Sequence, residues 1–357
     1  MKKFLSFLGI FAAGVIAISL IFTILAHVAR KNNPPAEEVF GDGATTISIT
    51  AVGDCFFGSD INAVGPGDFD DVFKKAGSDY SYCFKNVKRY FEADDFTIVN
   101  YEGCISDRGT RFDKQFAFRT NPDYVKILTE SSVEAANIAN NHTRDYGEGA
   151  FEDTKKILTE NGIVNFVGNE VAIAEKNGVK VGFVGTNTQR YGGKAEVIEN
   201  INKLKKENAE LIIASFHWGI ERTLTPNDEQ RELAYLAIDN GADLVIGHHP
   251  HVIQGIEKYK GKYILYSLGN FCFGGNKNPA DKDSMIFKQV FVLRDGKVLD
   301  KGSATVIPCS ISSETDRNNY QPTPLSDKEF DRVKKKILDI SKGFDGIEDI
   351  TFIQNYN

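Results

Sequence analysis

The sequence predicts an α/β protein in which strands alternate with helices. Apolar runs of strand length recur between residues 46 and 271, with helical patterns between several of them. Most of these runs close on Asp, Asn, Glu or His rather than on further apolar residues. The composition, 41% hydrophobic and 25% charged, is that of a folded globular chain.

The elements follow in order. Residues 4–29 carry no charge, long enough for the ~20 apolar residues of a membrane-spanning helix. The run exceeds the ~7–15-residue core of a cleaved signal peptide and lacks a small-residue exit, so residues 1–31 are expected to form an uncleaved anchor. Lys2 and Lys3 nearly balance Arg30 and Lys31 across it. The short end is expected inside the cell and the body outside. Residues 32–44, with paired prolines, read as a linker.

Strands are predicted at 46–52, 95–103, 133–142, 178–187, 209–219, 241–251 and 262–271. Helices are predicted at 121–131, 149–162, 197–208 and 227–241. The last starts at an Asn227 or Asp228 cap and stops at Gly241. Residues 283–308 alternate on both sides of Asp295-Gly296, a hairpin signal. A helix over 326–343 opens on Ser326-x-x-Glu329, the pattern of a capping box. The main domain is expected over 45–310, with a helical extension over 311–357 packing on it.

With 42 basic and 49 acidic residues the formal charge is −7. Residues 1–31 hold four of the basic ones and no acid, so the remainder stands at −11. Such a body lacks the basic footprint of a nucleic-acid partner. Five cysteines form no CxxC pair, and their odd number excludes a complete disulfide framework. They read as small buried residues.

Asp54, Asn100, Glu102, Asn141, His142, His217, His248, His249, His251, Ser267 and Asn270 all follow strands. In an open α/β sheet, ligands bind beyond the carboxyl ends of the strands, so these residues point to one edge. Five of the six histidines lie there. Imidazole with carboxylate and amide oxygen suits zinc, manganese or iron. The His249-Pro250-His251 spacing, on an extended segment, puts both rings on one face. Trp218 is expected to pack. Arg119 is either a ligand for an anionic substrate or a surface arginine at a helix entry.

The stretches "AVGDCFFG", "NYEG", "FAFRTNP", "ANNHTRDYGEGAFEDT", "FHWGIE", "GADLVIGHHPHVIQGIEKY" and "YSLGNFCF" occur in this order. They resemble the CapA-type poly-gamma-glutamate capsule synthesis family, which looks like a branch of the calcineurin-like metallophosphoesterases. The resemblance covers roughly residues 46–275. It implies a four-layer α/β/β/α sandwich tethered to the outer surface of a bacterial membrane. It also implies a part in making, releasing or anchoring an anionic cell-surface polymer, alone or with its synthase.

The same resemblance assigns roles. Asp54, Asn141, His217, His249 and His251 stand where metal ligands fall. Glu102 or Asn100 takes the bridging position, and His248 is an alternative ligand. His142 stands where a general acid falls, with Asn141 and Asp145 in the same motif as catalytic candidates. Arg119, Ser267 and Asn270 are the substrate-binding candidates. One departure matters. The family's Asp-x-His is Asp54-Cys55-Phe56 here, so that histidine is missing and one ion position loses a ligand. The expected cofactor is one or two divalent ions of manganese, zinc or iron. The expected function is a metal-dependent hydrolase of a phosphoester or of poly-glutamate amides. The competing expectations are a non-catalytic accessory subunit and a phosphatase unrelated to any polymer.

Overall fold

A computed structural model describes residues 41–188 and 193–355. The expected anchor and nearly all of the linker lie outside these residues. Among the described residues no helix is long and apolar enough to cross a membrane.

The fold is mixed α/β and rich in sheet. The chain runs through β1 (Ala44–Phe56), β2 (Phe96–Tyr101), β3 (Cys104–Ile105), β4 (Arg119–Thr120), β5 (Ala135–Asn137), β6 (Val164–Phe166), β7 (Ala172–Lys176), β8 (Val179–Asn187) and β9 (Leu211–His217). It continues through β10 (Leu244–His248), β11 (Ile256–Tyr259), β12 (Lys262–Leu265), β13 (Asn270–Phe273), β14 (Asp283–Arg294), β15 (Lys297–Ser310), β16 (Thr323–Pro324) and β17 (Ile350–Phe352). The first large sheet has the order β16-β15-β14-β1-β2-β5-β6, with β13 also on β1 and β17 also on β15. The second has the order β11-β12-β10-β9-β8-β7. In both sheets the central strands are parallel and the hairpins lie to the side.

Three apolar clusters define the layers. One lies between the sheets, where Ile47, Ile49 and Ile98 of the first meet Phe183, Ile213 and Ile246 of the second. Another seals the outer face of the first sheet with α1 (Phe69–Lys75), α2 (Lys88–Phe91), α3 (Val125–Thr129) and α4 (Glu148–Glu160). The third seals the second sheet with α5 (Lys194–Lys206) and α6 (Asp228–Asn240). The C-terminal helix α7 (Asp327–Ile340) inserts Val333 and Ile337 into the inter-sheet core. The strands near it, β16 and β17, both pair with β15.

Local rules hold at most ends. Asn227 accepts from the Gln230 amide in a reciprocal capping box, and Gly241 closes α6 at φ 113°. Asp295 and Gly296, at φ 51° and 69°, make the left-handed pair that a tight hairpin requires. One expectation fails. Ser326 makes no side-chain cap bond to α7; its hydroxyl bonds the Asp327 carboxylate instead. Asp327 sits at φ 51°, so the chain enters that helix from the wrong direction for a capping box. The predicted strand over 133–142 is only Ala135–Asn137, because the chain then turns to carry Asn140, Asn141 and His142.

Candidate metal centre

Register delivers the polar residues in two rows. Asp54, Asn100 and Asn137 are neighbours across β1, β2 and β5. Asn187, His217 and His248 are neighbours across β8, β9 and β10. Both rows stand at carboxyl ends of parallel strands. A glycine precedes a row member in each sheet for steric reasons. A Cβ on Gly53 would lie 2.0 Å from the Gly269 carbonyl oxygen, and one on Gly247 2.1 Å from that of Tyr266. Only glycine lets these strand ends pack so closely.

His249 and His251 are not on an extended segment, contrary to the sequence expectation. The strand stops at His248, and the two residues take φ 97° and 56°. Left-handed conformations are uncommon for such side chains and cost on the order of 1–3 kcal/mol each. The bend, rather than strand pleating, brings the two rings to 6.0 Å. Backbone strain of this kind concentrates at functional sites.

Asp54 is fully buried. Its Oδ1 accepts from Asn100 Nδ2 at 2.9 Å and lies 3.3 Å from His248 Nδ1. Its Oδ2 lies 3.2 Å from His251 Nδ1 and accepts weakly from the His249 amide at 3.4 Å. Burial alone would raise this carboxyl, but His248 and His251 offset it and hold it well below the ordinary range. Glu102 is fully buried with neither oxygen hydrogen-bonded. Its Oε1 lies 3.6, 3.8 and 3.9 Å from the Nε2 atoms of His217, His251 and His142. Burial pushes Glu102 well up, opposed in part by His251. His251 is held up at about 10: burial opposes its charge, but Glu102 and Asp54 outweigh burial. Burial lowers His249 to about 4 and also lowers His217. Asn141 Oδ1 accepts from His217 Nε2 at 2.8 Å.

This arrangement fits a cation. A buried carboxylate without partners is costly, by several kcal/mol when charged. Both ring nitrogens of His248 and the Nδ1 of His249 also lack hydrogen bonds. Two groups of ligand atoms lie within 4.8 Å of one another: Glu102, His249 and His251, and Asp54, Glu102 and His217. They share Glu102, the one side chain that would serve both groups if two ions were bound. Phe56, where the family pattern has histidine, packs instead on Phe118 and Phe273 and offers no ligand. Cys55 points into the apolar cluster on the other face, away from the gap. All five cysteines are buried and unpaired by disulfides.

His142 borders the centre. Its ring stacks on Phe118 with centroids 4.0 Å apart, and its Nδ1 is 2.6 Å from Asp145 Oδ2. That bond directs Nε2 toward Glu102. Asp145 also accepts from Lys114 Nζ at 2.6 Å and from the Phe118 amide at 2.8 Å. Lys114 Nζ further donates to the Asn141 carbonyl, tying the motif together. Asn270 belongs to the centre, with Oδ1 2.9 Å from His251 Nδ1. Ser267 does not face it: its hydroxyl donates to the Val252 carbonyl and accepts from Gly269, shaping the loop. Arg119 does not face it either. Its guanidinium lies 4.3 Å over the Tyr146 ring and donates to the Arg108 carbonyl. Sequence reasoning missed Lys114, Glu221 and Arg222. They lie on loops between elements, where neither strand ends nor periodicity mark them.

Two mixed sheets that deliver histidines, carboxylates and amides to one shared edge define an α/β protein with a candidate metal centre. The model of the family "Bacterial capsule synthesis protein PGA_cap" matches residues 48–275, and the chain belongs to that family. It is 31% identical over 284 residues to the PGA biosynthesis protein CapA of Bacillus subtilis (strain 168), covering 72% of this chain and 71% of that one. A probable polyglutamine synthesis accessory protein of Mycobacterium tuberculosis (strain ATCC 25618 / H37Rv) is 26% identical over 296 residues, covering 72% of this chain and 75% of that one. The trifunctional nucleotide phosphoesterase protein YfkN of Bacillus subtilis (strain 168) is 26% identical over 281 residues, which are 66% of this chain and 19% of that protein.

Proposed function

We propose that this chain serves poly-gamma-glutamate capsule biosynthesis as a membrane-anchored, metal-dependent hydrolase whose body stands outside the cell. In this reading the layered fold is a metallophosphoesterase-like sandwich, and residues 1–31 are its anchor. The observation that carries the reading is Glu102, a buried carboxylate with no hydrogen bond, with histidines from one strand end and two loops around it. The names of the Bacillus relative and of the phosphoesterase support a polymer substrate and hydrolysis respectively.

Asp54, Glu102, His217, His249 and His251 would hold manganese, zinc or iron, with Asn100, Asn141 and His248 completing the set. A divalent ion there supplies Lewis acidity and a nucleophile at neutral pH. The chain's own residues do the rest. Asp145 accepts from His142 Nδ1–H and stabilises the protonated ring. Nε2 of that imidazolium carries the proton that a leaving amine or alkoxide takes. Phe118 covers one face of that ring and keeps water from it.

The test is the length distribution of poly-gamma-glutamate incubated with the purified chain and each metal. Shortening that is lost in His249→Ala and falls by roughly 10²–10⁴-fold in Asp145→Asn is the expected result. Unchanged polymer with every metal would reject hydrolysis. Phe56 favours a second reading, a non-catalytic accessory subunit, because it removes a ligand from one ion position. The mycobacterial relative bears the accessory name. In that case His249→Ala would leave polymer production intact in cells.

A further inference from the structure

A cavity of about 390 Å³ opens beside the metal centre, with His142, His251 and Asn270 on its inner wall. That volume falls in the ~300–1,000 Å³ range of small-molecule sites. Phe116, Phe118 and Phe273 make one side of it apolar, and Phe116 is 47% exposed. Arg222 and Glu221 stand on the same cavity.

Arg222 differs from the other arginines near this edge. Arg111 is paired with Asp60 at 2.9 Å, Arg108 bonds Asp153, and Arg119 lies over Tyr146. The Arg222 guanidinium has no hydrogen-bond or ion-pair partner among the described residues. Its backbone is nonetheless fixed. The residue sits at φ 59°, and its amide donates to the Pro250 carbonyl at 2.8 Å. The His-Pro-His bend that shapes the candidate centre therefore also places this arginine. A guanidinium without a protein partner, on a built loop that lines the same cavity as an aromatic wall, is suited to a planar anion on an apolar stem. Glu221 beside it works against any densely charged ligand such as a polyphosphate.

We infer that this cavity is a subsite for a carboxylate-bearing acyl unit of the substrate, with Arg222 as the carboxylate anchor and the three phenylalanines packing the methylenes. A γ-linked glutamyl unit has this form: an aliphatic stem with a free α-carboxylate. The inference rests on the polyglutamate reading above and names Arg222, not Arg119, as the residue that recognises the polymer.

The experiment is calorimetric titration of the full-length chain in detergent with a short γ-linked glutamate oligomer. The same oligomer with its α-carboxylates amidated is titrated in parallel. Arg222→Gln is expected to weaken binding of the acid oligomer about tenfold or more, with partial recovery in Arg222→Lys. The amidated oligomer is expected to bind weakly to all three proteins. Metal content is expected to stay the same in the variants. Equal binding of the acid oligomer by wild type and Arg222→Gln would overturn the subsite, as would equal binding of both oligomers. In either case polymer shortening by wild type would leave the function standing. Failure of wild type to bind either oligomer would also overturn the subsite, and polymer left unshortened with every metal would overturn the function as well.

Discussion

Glu102 shows how much one side chain can say. Its oxygens are buried and unpaired, and Oε1 lies within 4 Å of three imidazoles. Glu102→Gln keeps the shape and removes the charge. It is expected to lower divalent-ion affinity by at least about tenfold while raising the melting temperature of the metal-free chain at alkaline pH, where the carboxyl would otherwise have to ionise in a buried site. Metal titration and thermal unfolding in chelator check both signs. Two half-buried acids lie at the other ends of the same strands, before β2 and β5. Burial pushes Glu134 up to about 7 and Asp94 up to about 6. A folded-state value above the ordinary 4.5 means the folded chain holds a proton that the unfolded chain releases. The stability this contributes is present below the ordinary value and is lost as pH rises through about 7. Glu134→Gln keeps the acceptor for the Thr97 amide and is expected to raise the melting temperature at pH 8 with little change at pH 4. An unchanged difference between the two pH values would contradict this. At this scale the candidate ligands were legible because each follows an apolar run that ends abruptly. Arg222 and Lys114 were not, since a loop's reach depends on tertiary contacts that no local pattern encodes.

The elements obey capping chemistry where the entry angle allows it. Asn227 caps α6 through a reciprocal box, whereas Ser326 makes no such bond. Asn227→Ala is therefore expected to cost about 1 kcal/mol and Ser326→Ala close to nothing, as thermal or denaturant unfolding would show. Similar losses would mean that the α7 entry is capped after all. Most of the long strands and helices were legible from periodicity. The Asp295-Gly296 hairpin was legible from its turn. The short helices α1 and α2, and the edge strands β7 and β11, were not, because runs of four to seven residues carry too little pattern. The His249–His251 segment was misread as extended. Its H-x-H spacing is equally compatible with a left-handed bend, and tertiary bonds to Asp54 and Asn270 select the bend.

At the scale of the whole molecule, the two sheets each present a row of polar residues at one shared edge. Neither sheet holds a complete ligand set alone. Asp54, Asn100 and Glu102 come from the first sheet, and His217 and His248 to His251 come from the second and the bend that follows it. Any ion bound there clamps the sheets together. It should therefore stabilise the fold in proportion to its affinity. The layered α/β class was legible from the alternation of elements. The pairing of one sheet with the other was carried only by family resemblance, since no residue pattern states which strands share a sheet. The edge shared by the two sheets is the candidate metal centre. The most direct measurement is elemental analysis of the purified full-length chain beside a His249→Ala/His251→Ala variant, after reconstitution with manganese, zinc and iron. At least one equivalent of a divalent ion in the wild type, lost in the variant, is the expected result. No retained ion in the wild type with any of the three metals would contradict it.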